Sequence, residues 1–525
     1  MSEEQPAAPV VSLRERVKSP PAPAMVESYF GPAVAAGIRF QFEPEMRIHM
    51  AHAVMLAECG IVGKVDIARI LAVLADLQAT GVKALTIDYQ QEDLYSYIER
   101  HIVETLGPET GGRLHTGRSR NDLHTTSWRL VLRGLLLDLL DVVGTIRRTL
   151  IDMAQQHVET VMPGYTHSQH AQPISFGYYL LAAADLMERD YGRLSHALAC
   201  CDRSPLGSGA LSTTGFPIDR EMTARLLGFS RLVEVGYDGV SIRDDLQEAA
   251  GALAVLMTGI SRVATDIQTW NTMEFGMLEL DDAYSSVSSI MPQKKNPQAM
   301  EHVKAVAAMA VGALNMVLAA AKNTALADVN DGVTAGNVPM LDVLERACRA
   351  LTVFEGAIRT LTVKPDTMRH LAETGFGTAT ELADIIVREA GMSFRMAHNI
   401  VGRVVREAIE AHHTAMDITS ADLDAASQAL FGHPLGIPVE EVRKALDPAE
   451  NLKSRTVTGG PAPVRMAEML DRRRAMLDSD LAGMADIRRR IAEANHTLME
   501  QARRIMDDAG LQTPSQIVRE NHGTS

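Results

Sequence analysis

Residues 284–297 read YSSVSSIMPQKKNP, with four serines, two lysines, an asparagine and two prolines crowded into one helix-breaking stretch. Taken alone, such a stretch is an ordinary solvated connector. Two further polar islands change the reading: RLHTGRSRNDLHTT at 113–126 and MPGYTHSQHAQP at 162–173. Each combines hydroxyls, amides and a cation or imidazole, the groups that bind and polarise carboxylates.

Long stretches with apolar residues three and four apart separate the islands, among them SWRLVLRGLLLDLLDVVGTIRRTLIDMAQQHVET and GYYLLAAADLMERDYGRLSHALACC. This period argues for a helix bundle, and no strand-like alternation interrupts it. A helix over 127–157 would be roughly 45 Å long at about 1.5 Å per residue, which puts the first and second islands at opposite ends of it. They cannot share a pocket within one chain. If one site uses all three islands, different subunits must supply them, so an obligate oligomer is expected.

Composition agrees. Aromatic residues make up only 4% of the chain while alanine, leucine and methionine abound, a balance that favours helix over sheet. A net charge of -15 offers no broad attraction to phosphate backbones, so no nucleic-acid partner is expected. Cys59, Cys200, Cys201 and Cys348 follow no metal-ligand spacing and read as thiols of a reducing, cytoplasmic compartment. The longest apolar run, AVAAMAVGALNMVLAAA at 305–321, contains Asn315 and lies between Lys304 and Lys322. It suits the centre of a bundle better than a membrane span. The expected organisation is all-α: a disordered Pro/Ala-rich leader at 1–25, an N-terminal helical domain at 26–114, and a central long-helix bundle at 115–365. A smaller C-terminal helical domain follows at 366–476, then an extra helix and tail at 477–525.

SSIMPQKKNP resembles the signature of the fumarase/aspartase superfamily, and HTGRSRND with GYTHSQHAQP is similar to its argininosuccinate lyase branch. EDLYSYIE, SPLGSGALSTTGFPIDRE, GFGTATELADIIVREAGMSFRMAHNIVG and RTVTGGPAPV follow in the family's order, extending the resemblance over about residues 45–476. The resemblance implies a three-domain all-helical protomer, a homotetramer with each active site built by three subunits, and a lyase reaction that releases fumarate and needs no metal or organic cofactor. It assigns Ser288 as the general base, with Lys294 and Asn296 stabilising the aci-carboxylate that forms when a proton leaves the carbon beside a carboxylate. Ser119, Arg120 and Asn121 would hold the succinyl carboxylates. Thr166 would bind a carboxylate, His167 would serve acid or electrostatic chemistry, and Gln169 would give a supporting contact. Arg118, His124, His170 and Lys295 read as scaffold or surface groups.

Departures from the pattern bear on the loop and the substrate. Val287 replaces the glycine expected before the two serines, which predicts a stiffer loop. Leu123 and His124 follow RND, and Tyr95 stands where a histidine is common. The segment that carries substrate-contacting Tyr, Gln and Lys in true argininosuccinate lyases reads ALADVNDGVTAGNVP here, with Asp328 about where the Tyr belongs. GPAVAAGIRFQFEPE likewise replaces the family's N-terminal substrate segment. The fumarate end is kept and the amine end rebuilt. Asp328 reads equally as a partner for an ammonium on the leaving group or as a solvated helix-terminal residue. The expected reaction is anti β-elimination of fumarate from an N-substituted L-aspartate of the ethylenediamine-N,N'-disuccinate type. An ordinary argininosuccinate lyase and a non-catalytic structural tetramer are the alternatives.

Overall fold

The computed structural model describes residues 16, 19–331 and 335–511. Most of the expected leader lies outside the described residues. Its end does not: a helix opens at Pro23, where proline's fixed φ suits the first helical position. It runs through π-turns at Val26–Phe30 and Gly37–Gln41 into α1 (Phe42–Glu58). The replacement segment GPAVAAGIRFQFEPE is therefore helical.

Helices α2 (Lys64–Thr80) and α3 (Leu94–Leu106) pack with α1 around an apolar cluster that includes Met46, Met50, Val54, Leu71 and Ile98. The bundle proper is α4 (Arg120–Gln156), α5 (Phe176–Cys201), α6 (Asp244–Trp270), α7 (Gln298–Ala321) and α8 (Asn337–Arg359). Leu132, Leu139, Leu180, Met187, Leu253, Met257, Val303 and Leu344 are among its buried core. A third cluster, from Leu382 to Leu446, belongs to α9 (Ala379–Ala390), α10 (Phe394–Glu410) and the short helices after them. The fold is all-α with a few two-stranded ribbons. One ribbon was not foreseen. The second island forms a hairpin, β1 (Val161–Thr166) with β2 (Gln169–Ser175), where sequence gave only a break between helices.

The chain closes with α11 (Pro463–Asp508), 46 residues without interruption. It crosses the 476/477 boundary suggested by sequence. Met466, Leu470, Leu477 and Met484 enter the bundle core, and Leu498, Ala502, Ile505 and Met506 enter the N-terminal core. These positions recur at four and seven, so one stripe serves both cores. Arg473 grips Asp185 through two hydrogen bonds of 2.6 and 2.7 Å, and the buried Arg147 reaches Asp480 at 2.6 Å. Its apolar stripe is thus used within its own protomer.

Helices α6 and α7 are long and apolar enough to cross a membrane by length and composition, yet they pack on each other and the bundle. One side of α7 has no cover among the described residues. Met309, Val311 and Leu318 are each more than 40% exposed there, with Ala305, Ala308 and Gly312 between them.

Candidate active site

The first island starts α4. Ser119 is its N-cap: the hydroxyl accepts the Asn121 N–H at 3.3 Å, and Asp122 accepts the Ser119 N–H at 3.1 Å. The helix dipole and free N–H groups favour an anion at this end. Asp122 also accepts the N–H groups of Gly207 and Gly209 at 2.8 and 3.0 Å, which ties the PLGSG loop to the helix start. Gly207 has φ 86°, and a Cβ there would meet Arg220 Cγ at 2.5 Å, so glycine is required.

Arg120 does not stand free. Its Nη1 lies 2.7 Å from Glu92 and 3.3 Å from Asp93, and Asp93 also pairs with His124 Nε2 at 3.2 Å. Burial would raise the Asp93 pKa, but His124 and Arg120 reverse this and hold it well below the usual carboxylate range. The same contact raises His124 against its own burial. Asp328 joins this group: desolvation raises its pKa, offset by the charges of His124 and Arg120.

Behind them lies a buried layer from α1. Arg118 bonds His49 Nδ1 at 3.1 Å, Tyr95 bonds His115 Nδ1 at 2.7 Å, and His52 bonds the Thr116 carbonyl at 2.9 Å. Tyr95 thus fills its unusual position as a scaffold donor. Glu45 is fully buried with neither carboxyl oxygen partnered among the described residues, and burial pushes its pKa up to about 8. Its folded pKa exceeds its unfolded one, so the folded state holds the extra proton and stability is lost as pH rises towards 8. Glu45→Gln, which stays neutral, is expected to melt above the wild type at pH 8.5 and close to it at pH 5. The gain corresponds to roughly 2–4 kcal/mol at about 1.4 kcal/mol per pKa unit. Thermal melts at the two pH values check it.

The second island lies at the other end of α4. The tip of the hairpin between Thr166 and Gln169 is His167–Ser168, with φ 52° and 59°. A two-residue hairpin of this hand normally takes Asn-Gly, so His167 and Ser168 hold a backbone conformation uncommon for their types. Thr166, His167 and Gln169 are all exposed. Tyr165 anchors the hairpin against Phe275 and Trp270, with ring centroids 6.0 and 6.4 Å apart. Gly377 allows the C-terminal domain to close on it, since a Cβ there would lie 2.2 Å from the Ala171 carbonyl oxygen.

The third island is a projecting loop. Strands β3 (Ser286–Val287) and β4 (Lys295–Asn296) pair antiparallel and leave Ser288–Lys294 as the tip. Ser288 Oγ accepts the N–H groups of Met291 at 3.0 Å and Ile290 at 3.3 Å. These dipoles stabilise negative charge on that oxygen. Val287 occupies an extended strand position without positive φ, so the residue meets no glycine-only demand. Lys295 is neutralised by Asp282 at 2.7 Å and Glu279 at 3.3 Å. Lys294 is exposed and has no ion pair among the described residues, which leaves its charge for a ligand. Asn296 Nδ2 donates to Ser286 at 3.4 Å.

The protomer therefore has two chemical poles. Ser119, Arg120, Asn121 and Asp328 lie at one; α4, 37 residues and about 55 Å long, leads to the hairpin at the other. The loop of Ser288, Lys294 and Asn296 is at the hairpin's pole, because α6 ends at Trp270 beside Tyr165 and α7 starts after Asn296. No described hydrogen bond or ion pair joins one island to another. Sequence reasoning missed Glu92, Asp93 and Glu45. The first two lie in the quoted EDLYSYIE and carry the signal of an acidic pair before a helix; Glu45 gave none.

The family description "Lyase" matches residues 28–312, and "Argininosuccinate lyase C-terminal" matches 376–453. Argininosuccinate lyase 1 of Shouchella clausii is 38% identical over 480 residues, covering 91% of this chain and 96% of its own. The chain belongs to the argininosuccinate lyase branch of the fumarase/aspartase superfamily. Argininosuccinate lyase of Methanothermobacter thermautotrophicus is 40% identical over 443 residues, covering 84% of this lyase and 93% of its own length. Among solved structures, EDDS lyase in complex with formate superposes with TM-score 0.82 at 33% identity, covering 95% of this lyase and 99% of that chain. A variant of EDDS lyase with bound fumarate matches equally well. This branch member is a carbon-nitrogen lyase acting on a small-molecule substrate.

Proposed function

We propose that this lyase removes fumarate from an N-substituted L-aspartate whose leaving amine is not arginine, by anti β-elimination, and adds amines to fumarate in reverse. Ser288, as its alkoxide, takes a proton from the methylene carbon beside the carboxylate. The electron pair moves onto that carboxylate as an aci-dianion, which Lys294 and Asn296 stabilise. The dianion then collapses, the carbon-nitrogen bond breaks, and the nitrogen, already an ammonium in the substrate, keeps the bonding pair and leaves as the neutral amine. His167 and Thr166 face the substrate from a second subunit, with Gln169 supporting them, and Ser119, Arg120 and Asn121 face it from a third. The exposed apolar side of α7 supports the tetramer that this sharing requires.

One observation carries the substrate choice. Asp328 lies within electrostatic reach of Arg120 and His124 but makes no ion pair among the described residues, and such a carboxylate suits an ammonium-bearing leaving group such as a diamine. The 38–40% identity to proteins named argininosuccinate lyase favours the second reading, arginine release. Following fumarate absorbance with ethylenediamine-N,N'-disuccinate and with argininosuccinate separates them. We expect kcat/KM for the disuccinate to exceed that for argininosuccinate at least about 100-fold, a difference of about 2.7 kcal/mol. The reverse ratio overturns the proposal.

A further inference from the structure

A cavity of about 350 Å³ lies where α11 crosses the N-terminal domain, on the side of α1 turned away from the buried Glu45–His49 layer. Arg47 of α1 and Leu137 of α4 line it together with Glu43, Gln78, Arg488 and Asn495. Arg47 decides its chemistry. The Nε and Nη2 atoms are buried with no hydrogen-bond partner among the described residues, and no ion pair with Arg47 is found there. The cation nearest in effect, Arg133, makes matters worse, and Glu43 is the acid that offsets it. Glu43 is itself held by Gln78, whose Nε2 donates to it at 3.2 Å. Arg488, on the opposite wall, is engaged with Asp138 and Asp141. A half-buried guanidinium with two idle donors is costly unless an anion completes it.

We infer that this cavity is a binding site for a small oxyanion, a phosphate or carboxylate group, which Arg47 meets by turning its buried and unpartnered Nε–Nη2 edge into the cavity, with the Asn495 amide as a further donor. A planar guanidinium edge offers the two parallel N–H groups that such oxygens match. None of these residues belongs to either catalytic pole. The walls come from α1 and from the C-terminal half of α11, so an occupant would fasten that helix to the N-terminal domain. Burial lowers the Arg47 pKa to about 10, which still leaves it charged at neutral pH.

The test uses thermal melts of the full chain with inorganic phosphate, with malonate, and with chloride at matched ionic strength. Arg47→Met removes the cation, and Asn495→Leu removes the amide donor and narrows the cavity without changing charge. We expect phosphate, malonate or both to raise the wild-type melting temperature beyond chloride, by an increment absent from both variants. Phosphate alone or malonate alone identifies which oxyanion the site takes. Without added anion, Arg47→Met should melt no lower than the wild type, because the lost group is an uncompensated buried charge. Binding of either anion at the catalytic poles would shift all three proteins alike. Equal shifts in all three, or no shift beyond chloride, overturn the inference and leave the lyase assignment untouched.

Discussion

Ser288→Ala is expected to lower kcat by at least about 1,000-fold, with KM changed little and the assembly intact. Oγ is the only atom removed, and with it the group assigned to take the proton. The lost hydrogen bonds come from the N–H groups of Ile290 and Met291 at an exposed tip, where water replaces them. Folding should therefore be spared. Steady-state kinetics with size-exclusion chromatography checks both halves. A variant as active as the wild type would remove the base from position 288 and with it the proposed mechanism.

The second large effect comes from mixing two dead proteins. If a site takes Ser288 from one subunit and Arg120 from another, Ser288→Ala and Arg120→Met tetramers should both be inactive. Hybrids formed by co-refolding should regain activity. Random assortment gives an average of about one quarter of the sites with both intact residues. The protomer's own geometry motivates this: Arg120 opens α4, and the Ser288 loop lies at the far pole. Fumarate release from the refolded mixture, against each variant refolded alone, measures it. A mixture as silent as its parents would mean that both residues serve one site within a chain, or that one of them serves none.

Helical texture and the islands were legible in the sequence because both depend on local pattern: apolar spacing for the helices, clustered polar and helix-breaking residues for the islands. The length of α4 even implied that the first two islands are apart. Three features escaped. The hairpin at 161–175 hid because its tip has His-Ser where a turn of that hand usually carries Asn-Gly, and its apolar residues gave no alternation. The acid pair around Arg120 hid because Glu92 and Asp93 are remote in sequence from it, and the pairing is made only when α3 docks beside α4. The course of α11 was misjudged since its stripe is sparse and charge-rich, with a partner in each of two distant cores. Asp328 lay between: its type and place could be read, but its neighbours Arg120 and His124 needed the fold.

The left-handed turn at His167 and Ser168 limits how this branch member can be altered by insertion. A single residue added or deleted between Tyr165 and His170 would replace the two-residue turn by another type, with a different backbone conformation at position 167, and so re-aim the imidazole. Loop grafts from relatives must accordingly conserve the count of residues there as strictly as their identities.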